Sequence, residues 1–182
     1  RPVTADALGH LLESLRRAPV PGRSGFLYPS AGGLYSVQLH LYASPGRVDG
    51  LDGGVYRYHP DAHDLIAHAT GIALDPAALH LGPVNRPTAT SAAFTLFLVT
   101  DPADSAPLYG PDAEPLALLN AGYMGQLLCE RAAGADLGLC PVHGVDFDPV
   151  RWLLPEGERL VLLHTLLGGI PADGTNGTEE SA

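Results

Sequence analysis

The stretch that most restricts this chain is Ala92-Ala93-Phe94-Thr95-Leu96-Phe97-Leu98-Val99. It is too apolar to alternate, so it reads as a central strand, and a central strand requires a sheet on either side of it. Other segments supply that sheet. Ser36-Val37-Gln38-Leu39-His40-Leu41-Tyr42 alternates with period two, which predicts a half-buried strand over 35–43 with His40 on its solvated face. Residues 54–59 and 64–68 read as a hairpin around Pro60-Asp61, with His59, His63 and His68 at the surface. Leu137–Cys140 is a short strand, and Leu160–Leu167 a last one ending at Gly168-Gly169.

Helices intersperse these strands. Thr4 can cap a helix to about Arg17, with Leu8, Leu11, Leu12 and Leu15 on one face. A loop at 18–24, a short helix near 75–80 and a loop through Asn85-Arg86-Pro87 follow. Asp101–Asp112 reads as a long loop, a length often kept for function. The best helix spans Glu114 to Ala133. Its expected inner stripe is Leu116, Leu119, Tyr123, Leu127 and Leu128, with Gly122 and Gly125 admitting another backbone. Asp148–Leu154 is a short helix. The class is α+β, with 1–170 as one domain and 171–182 as a flexible tail or linker.

Composition narrows the chemistry. All ten basic residues are arginine, which excludes a Schiff-base, Walker or general-base lysine within this chain. A net charge of −10 disfavours nucleic acid and anionic membranes as partners. Cys129 and Cys140 lack metal-ligand spacing, so two reduced thiols and no metal are expected. No apolar run approaches the roughly twenty residues of a membrane span, and no signal peptide is visible, so a cytoplasmic location is expected.

The candidate binding feature is Tyr28-Pro29-Ser30-Ala31-Gly32-Gly33-Leu34-Tyr35. Serine, alanine and two glycines leave no bulk to keep a flat ligand from the backbone, whose N–H groups can then donate to it.

Four segments in order resemble the nitroreductase fold, and more narrowly the oxidation domains of nonribosomal peptide synthetases, relatives of the azoline dehydrogenases. They are the 28–35 turn, then Asn85-Arg86-Pro87 with the strand at 92–99. Leu108-Tyr109-Gly110 follows, with Asn120-Ala121-Gly122-Tyr123-Met124-Gly125-Gln126-Leu127-Leu128. Last come Gly138-Leu139-Cys140-Pro141 with Asp146-Phe147, closing on Leu166-Leu167-Gly168-Gly169. The resemblance implies FMN at the interface of a homodimer, on an antiparallel-rich sheet packed with helices. Pro29, Ser30, Ala31, Gly32 and Gly33 would lie along the flavin ring, and Pro141 to Gly144 would present backbone donors near N5. Gln126 would be a further contact. The implied reaction is two-electron oxidation of a thiazoline or oxazoline, held by a peptidyl carrier protein among other synthetase domains, to the azole.

Three departures from the family's pattern bear on this. An Arg-x-Ser-x-Arg motif that holds the flavin phosphate in many relatives lies upstream of the first helix. The sequence given starts at Arg1-Pro2, so the N-terminal part reads as truncated, and Arg16, Arg17 and Arg23 are the nearby substitutes. A Lys-Tyr pair of relatives is Leu108-Tyr109 here, leaving Tyr109 as a candidate acid/base, although an unassisted phenol is a poor base at neutral pH. His143 stands where glycine is expected; beside N5 it could serve as a base or obstruct the ring. Two other readings stay open: a flavin-free relative kept as a structural or docking module in a megasynthase, and a free-standing flavin reductase.

Overall fold

A computed structural model describes residues 1–17, 25–75, 79, 82–155 and 157–171. The loop at 18–24 with Arg23, most of the expected helix near 75–80, and the tail from 172, including the Asn176-Gly177-Thr178 sequon, lie outside the described residues.

Six strands form one antiparallel sheet in the order β3-β2-β1-β4-β6-β5: β1 Val37–Ala43, β2 Gly54–His59, β3 Asp64–Thr70, β4 Phe94–Thr100, β5 Gly138–Val142 and β6 Val161–Gly169. β4 is buried at every residue and sits between β1 and β6, as its unbroken apolar run requires. One face carries Leu39, Leu41, Tyr56, Phe94, Leu96, Leu98 and Leu166, covered by helix α1 (Ala5–Glu13) and helix α4 (Ala113–Ala132). The other carries Tyr42, Val55, Phe97 and Val99, covered by Leu79, Phe147, Val150, Leu154 and Leu160.

Several expectations change. β1 starts at Val37 because Tyr35 has φ 50°, a left-handed conformation that no strand residue adopts. β1 is also covered on both faces, so His40 is 2% exposed and not solvated. α1 keeps its Thr4 cap, whose hydroxyl oxygen accepts from the Ala7 N–H at 3.1 Å, but stops at Glu13. From there Ser14, Leu15 and Arg16 make tighter bonds to the carbonyl three residues back, and the Arg17 N–H leaves the helix for Pro60. Residues Arg86–Ser91 are helix α2, with Pro87 in its first turn. Asp101–Asp112 is not an open loop. The Asp101 carboxylate caps a turn at Pro102–Asp104, and helix α3 (Ala106–Tyr109) and a turn at Gly110–Asp112 follow. The helix near 148 is a single turn, α5 (Asp148–Arg151).

α4 is rotated from the expected stripe. Leu127 and Leu128 face the sheet with Ala117, Asn120, Ala121 and Met124, while Leu119 and Tyr123 point outward at 58% and 46% exposure. Both faces of this helix carry leucines, so apolar spacing alone does not choose between them, and the small residues win the inner face by permitting a closer approach. Gly122 faces open space. Gly125 meets a side chain instead of a backbone, since a Cβ there would lie 2.9 Å from His164 Cδ2.

Candidate functional site

Strand register brings the site together. Val37 pairs with Thr100, and Thr100 with Val161, so β1 begins, β4 ends and β6 begins at one end of the sheet. The turn before β1 and the segment after β4 therefore converge there. Gly32 has φ 58° and Gly33 φ 70°, and both are exposed. A Cβ built on Gly32 would fall on the Tyr109 hydroxyl, with the phenol Cζ at 3.2 Å, whereas one on Gly33 would meet nothing. The turn and Tyr109, far apart in sequence, thus meet at Gly32.

Aromatic rings and one buried amide hold the turn. Phe26 stacks on Tyr35 with ring centroids 4.1 Å apart, and Tyr28 meets Tyr35 edge-on at 5.5 Å. Burial pushes the Tyr28 phenol well above its ordinary range, so it stays neutral. Asn120, 4% exposed, accepts from the Ala31 N–H at 3.2 Å and donates to Ser30 Oγ at 3.2 Å. Ser30 Oγ also accepts from the Tyr35 N–H at 2.9 Å. The N–H groups of Gly33 and Leu34 bond to Ser30 and Ala31 carbonyls. The turn therefore spends most of its backbone donors on itself, contrary to the expectation that several face a ligand. The Ser30 hydroxyl proton and the Gly32 backbone remain to meet one.

The remaining expected residues lie elsewhere. β5 pairs with β6 only over Thr165–Gly169, so the Val161–His164 part of β6 borders an open cleft of about 920 Å³. Pro141, His143 and Gly144 line it together with His164 and Thr165; Tyr109 does not. The His143 carbonyl accepts from Asn85 Nδ2 at 2.9 Å, which ties the turn to the start of α2. Burial lowers the His164 imidazole below its ordinary range. Gln126 is exposed and donates to Glu130 Oε1 at 2.9 Å, to no residue of either turn.

A flavin ring fits the glycine shelf at Gly33, where no Cβ would hold a planar group away and nothing stands within 4 Å, whereas the space beside Gly32 is taken by the Tyr109 hydroxyl. Two of the described arginines are already engaged and so less available for its phosphate. Arg17 sits over Phe26 and pairs with Asp61 at 3.5 Å. Arg151, in the large cleft, donates to Asp148 and to the Gly157 and Leu160 carbonyls. Arg16 borders a separate cleft of about 330 Å³ with His10, Leu27 and Arg131.

Asn120 and His164 were not singled out by sequence reasoning. An inward-phased asparagine among alanines is the signal that would have found Asn120, had the helix phase been right.

Among known proteins, the nitroreductase family model matches residues 1–169. No curated protein matches the chain. Among solved structures, it is similar to a chain of the E. coli microcin synthetase McbBCD complex with truncated pro-MccB17 bound. The TM-score there is 0.80 at 22% identity over 95% of this chain and 66% of that one, so this chain spans just under two thirds of its length. A nitroreductase-like protein from Streptococcus mutans gives 0.60 at 13% identity, over 97% of this chain and 83% of that one. A candidate NAD(P)H:FMN oxidoreductase from Staphylococcus epidermidis gives 0.57 at 10%, over 91% and 76%. At these identities the likeness is one of fold.

Proposed function

Because the chain belongs to the nitroreductase family, we propose that it is an FMN-dependent oxidoreductase that converts a carrier-protein-bound thiazoline or oxazoline to the azole during nonribosomal peptide synthesis. The observation that carries this reading is the meeting of the exposed Gly32 backbone with the Tyr109 phenol. A phenol thus stands at the edge of the glycine turn, with open space beside Gly33.

FMN, when bound, supplies the two-electron acceptor for the ring oxidation. The chain supplies the rest. Asn120 fixes the turn, the Ser30 hydroxyl would donate to the ring system, and Gly33 would leave its face accessible. Tyr109 is the group placed to take or return a substrate proton at the shelf, and His143 the corresponding group at the cleft. These two candidate bases occupy different places in one protomer, so a complete site requires a second copy that brings one protomer's shelf to its partner's cleft. Exposed Leu108, Leu118, Leu119 and Tyr123 give that copy an apolar face next to the shelf. The fold likeness to a chain of a synthetase complex with a pro-peptide bound supports a peptide-borne substrate.

The internally spent donors of the turn favour a second reading, a flavin-free docking module. The test separates the two. Purified protein supplied with FMN, oxygen and an azoline thioester on a carrier protein is followed by mass spectrometry for loss of two hydrogens. Tyr109→Phe and His143→Ala are each expected to slow that loss by about tenfold or more. If neither does, both assignments fail; protein that takes up no FMN and oxidises nothing is the docking module.

A further inference from the structure

Across the sheet from α4, three adjacent strands gather unused polar groups. His40 on β1 is in register with Arg57 on β2, and Arg57 with Ile66 on β3, so these side chains and His68, two residues on, share one face. The His40 and His68 rings stack at 5.6 Å with an interplanar angle of 30°. Gln38, the Asp101 and Asp104 segment, and Pro155, Arg159 and Leu160 complete a cavity of about 200 Å³.

Two ring nitrogens there are buried without a hydrogen-bond partner, His40 Nδ1 and His68 Nε2. His40 Nε2 lies 3.4 Å from Gln38 Oε1, the one polar contact of that ring among the described residues. Leaving a buried nitrogen unpaired is unfavourable, so two beside one polar cavity mark a place that something polar fills. The surrounding charge tells what kind. The Asp101 carboxylate is already committed, accepting from the Ala103 N–H at 2.9 Å and from Arg159 Nε at 2.8 Å. Asp104 is exposed at the rim, where water screens it. Arg57 forms no ion pair among the described residues. Arg57 and two neutral imidazoles, each with one N–H to turn inward (His40 from Nδ1 when the Gln38 amide N–H faces its Nε2), supply more donors than the committed Asp101 carboxylate takes up.

We propose that this cavity binds a small oxyanion, a carboxylate or a phosphate group, through His40, His68 and Arg57. The site is separate from the glycine shelf, on the opposite face of β1, and stands whether or not the chain binds flavin.

Full-length protein labelled with ¹⁵N-histidine tests it. Imidazole nitrogens are followed by NMR at neutral pH while sodium phosphate is added, and sodium acetate in a second arm, with ionic strength held constant by sodium chloride. Saturable shifts of the His40 and His68 nitrogens, without those of exposed His10, are expected in at least one arm. Saturation by phosphate alone, by acetate alone or by both identifies the oxyanion accepted. Arg57→Gln, an exposed position, should keep the fold and weaken the saturating anion by about tenfold. Linear, unsaturable shifts in both arms mean that the cavity holds only water and overturn the proposal. So does an Arg57→Gln protein that titrates like the wild type.

Discussion

At Gly32, a methyl group would have to adopt φ 58° and displace the Tyr109 hydroxyl. Gly32→Ala should therefore cost about 2 kcal/mol or more of stability, read as a lowered urea midpoint, and weaken FMN in a fluorescence titration. Gly33→Ala faces the same backbone cost, about 1–2 kcal/mol, without the collision. Removing the hydroxyl by Tyr109→Phe should lessen the Gly32→Ala cost; strict additivity of the two changes would contradict the contact. Asn120→Ala leaves the half-buried Ala31 N–H without its partner and should cost about 1 kcal/mol in the same urea measurement. A midpoint within experimental scatter of the wild type would show that the turn holds without that amide. The Ser-Ala-Gly-Gly turn was legible because glycine pairs before a strand have few backbone solutions. The family resemblance singled out Tyr109 as a candidate acid/base, but its contact with Gly32 was not legible in the sequence. Asn120 was missed because the leucines of its helix suggested another inner face, and the inward asparagine among alanines shows only once that face is known.

The elements divide in the same way. β4 and the β2–β3 hairpin follow directly from apolar continuity and from alternation around Pro60-Asp61. β1 misled, since its polar residues His40 and Gln38 face a walled cavity instead of water. α4 misled more, because its leucines circle the helix and packing selects the alanine side. The face left outside is where the proposed second copy sits. Leu119→Asp combined with Tyr123→Asp, both at exposed positions, should leave the helical circular dichroism unchanged while converting a dimer to a monomer in sedimentation and abolishing FMN retention. A doubly substituted protein that still sediments as a dimer would remove α4 from that interface.

For the whole molecule, the buried histidines set a pH dependence. Burial, with the charges of His68 and Arg57 adding to it, pushes the His40 imidazole down from 6.5 to about 3. In the unfolded chain it takes up a proton near its ordinary value, while the folded chain resists until about 3. Stability is thus full above the unfolded value and falls as pH drops from 6.5 towards 3, by about 1.4 kcal/mol per pH unit for this group. His68 and His164 are displaced in the same direction by burial and add to the loss. Urea midpoints at pH 7 and pH 5 should differ more for the wild type than for His40→Leu, and equal differences would contradict the assignment. The shelf formed by the 28–35 turn is proposed as part of a flavin site. Its most direct measurement is the visible absorbance of purified protein mixed with FMN and then desalted. A yellow protein that retains about one flavin per chain is expected, with retention lost in Gly32→Ala. A colourless protein, folded by circular dichroism yet free of flavin after loading, would contradict it.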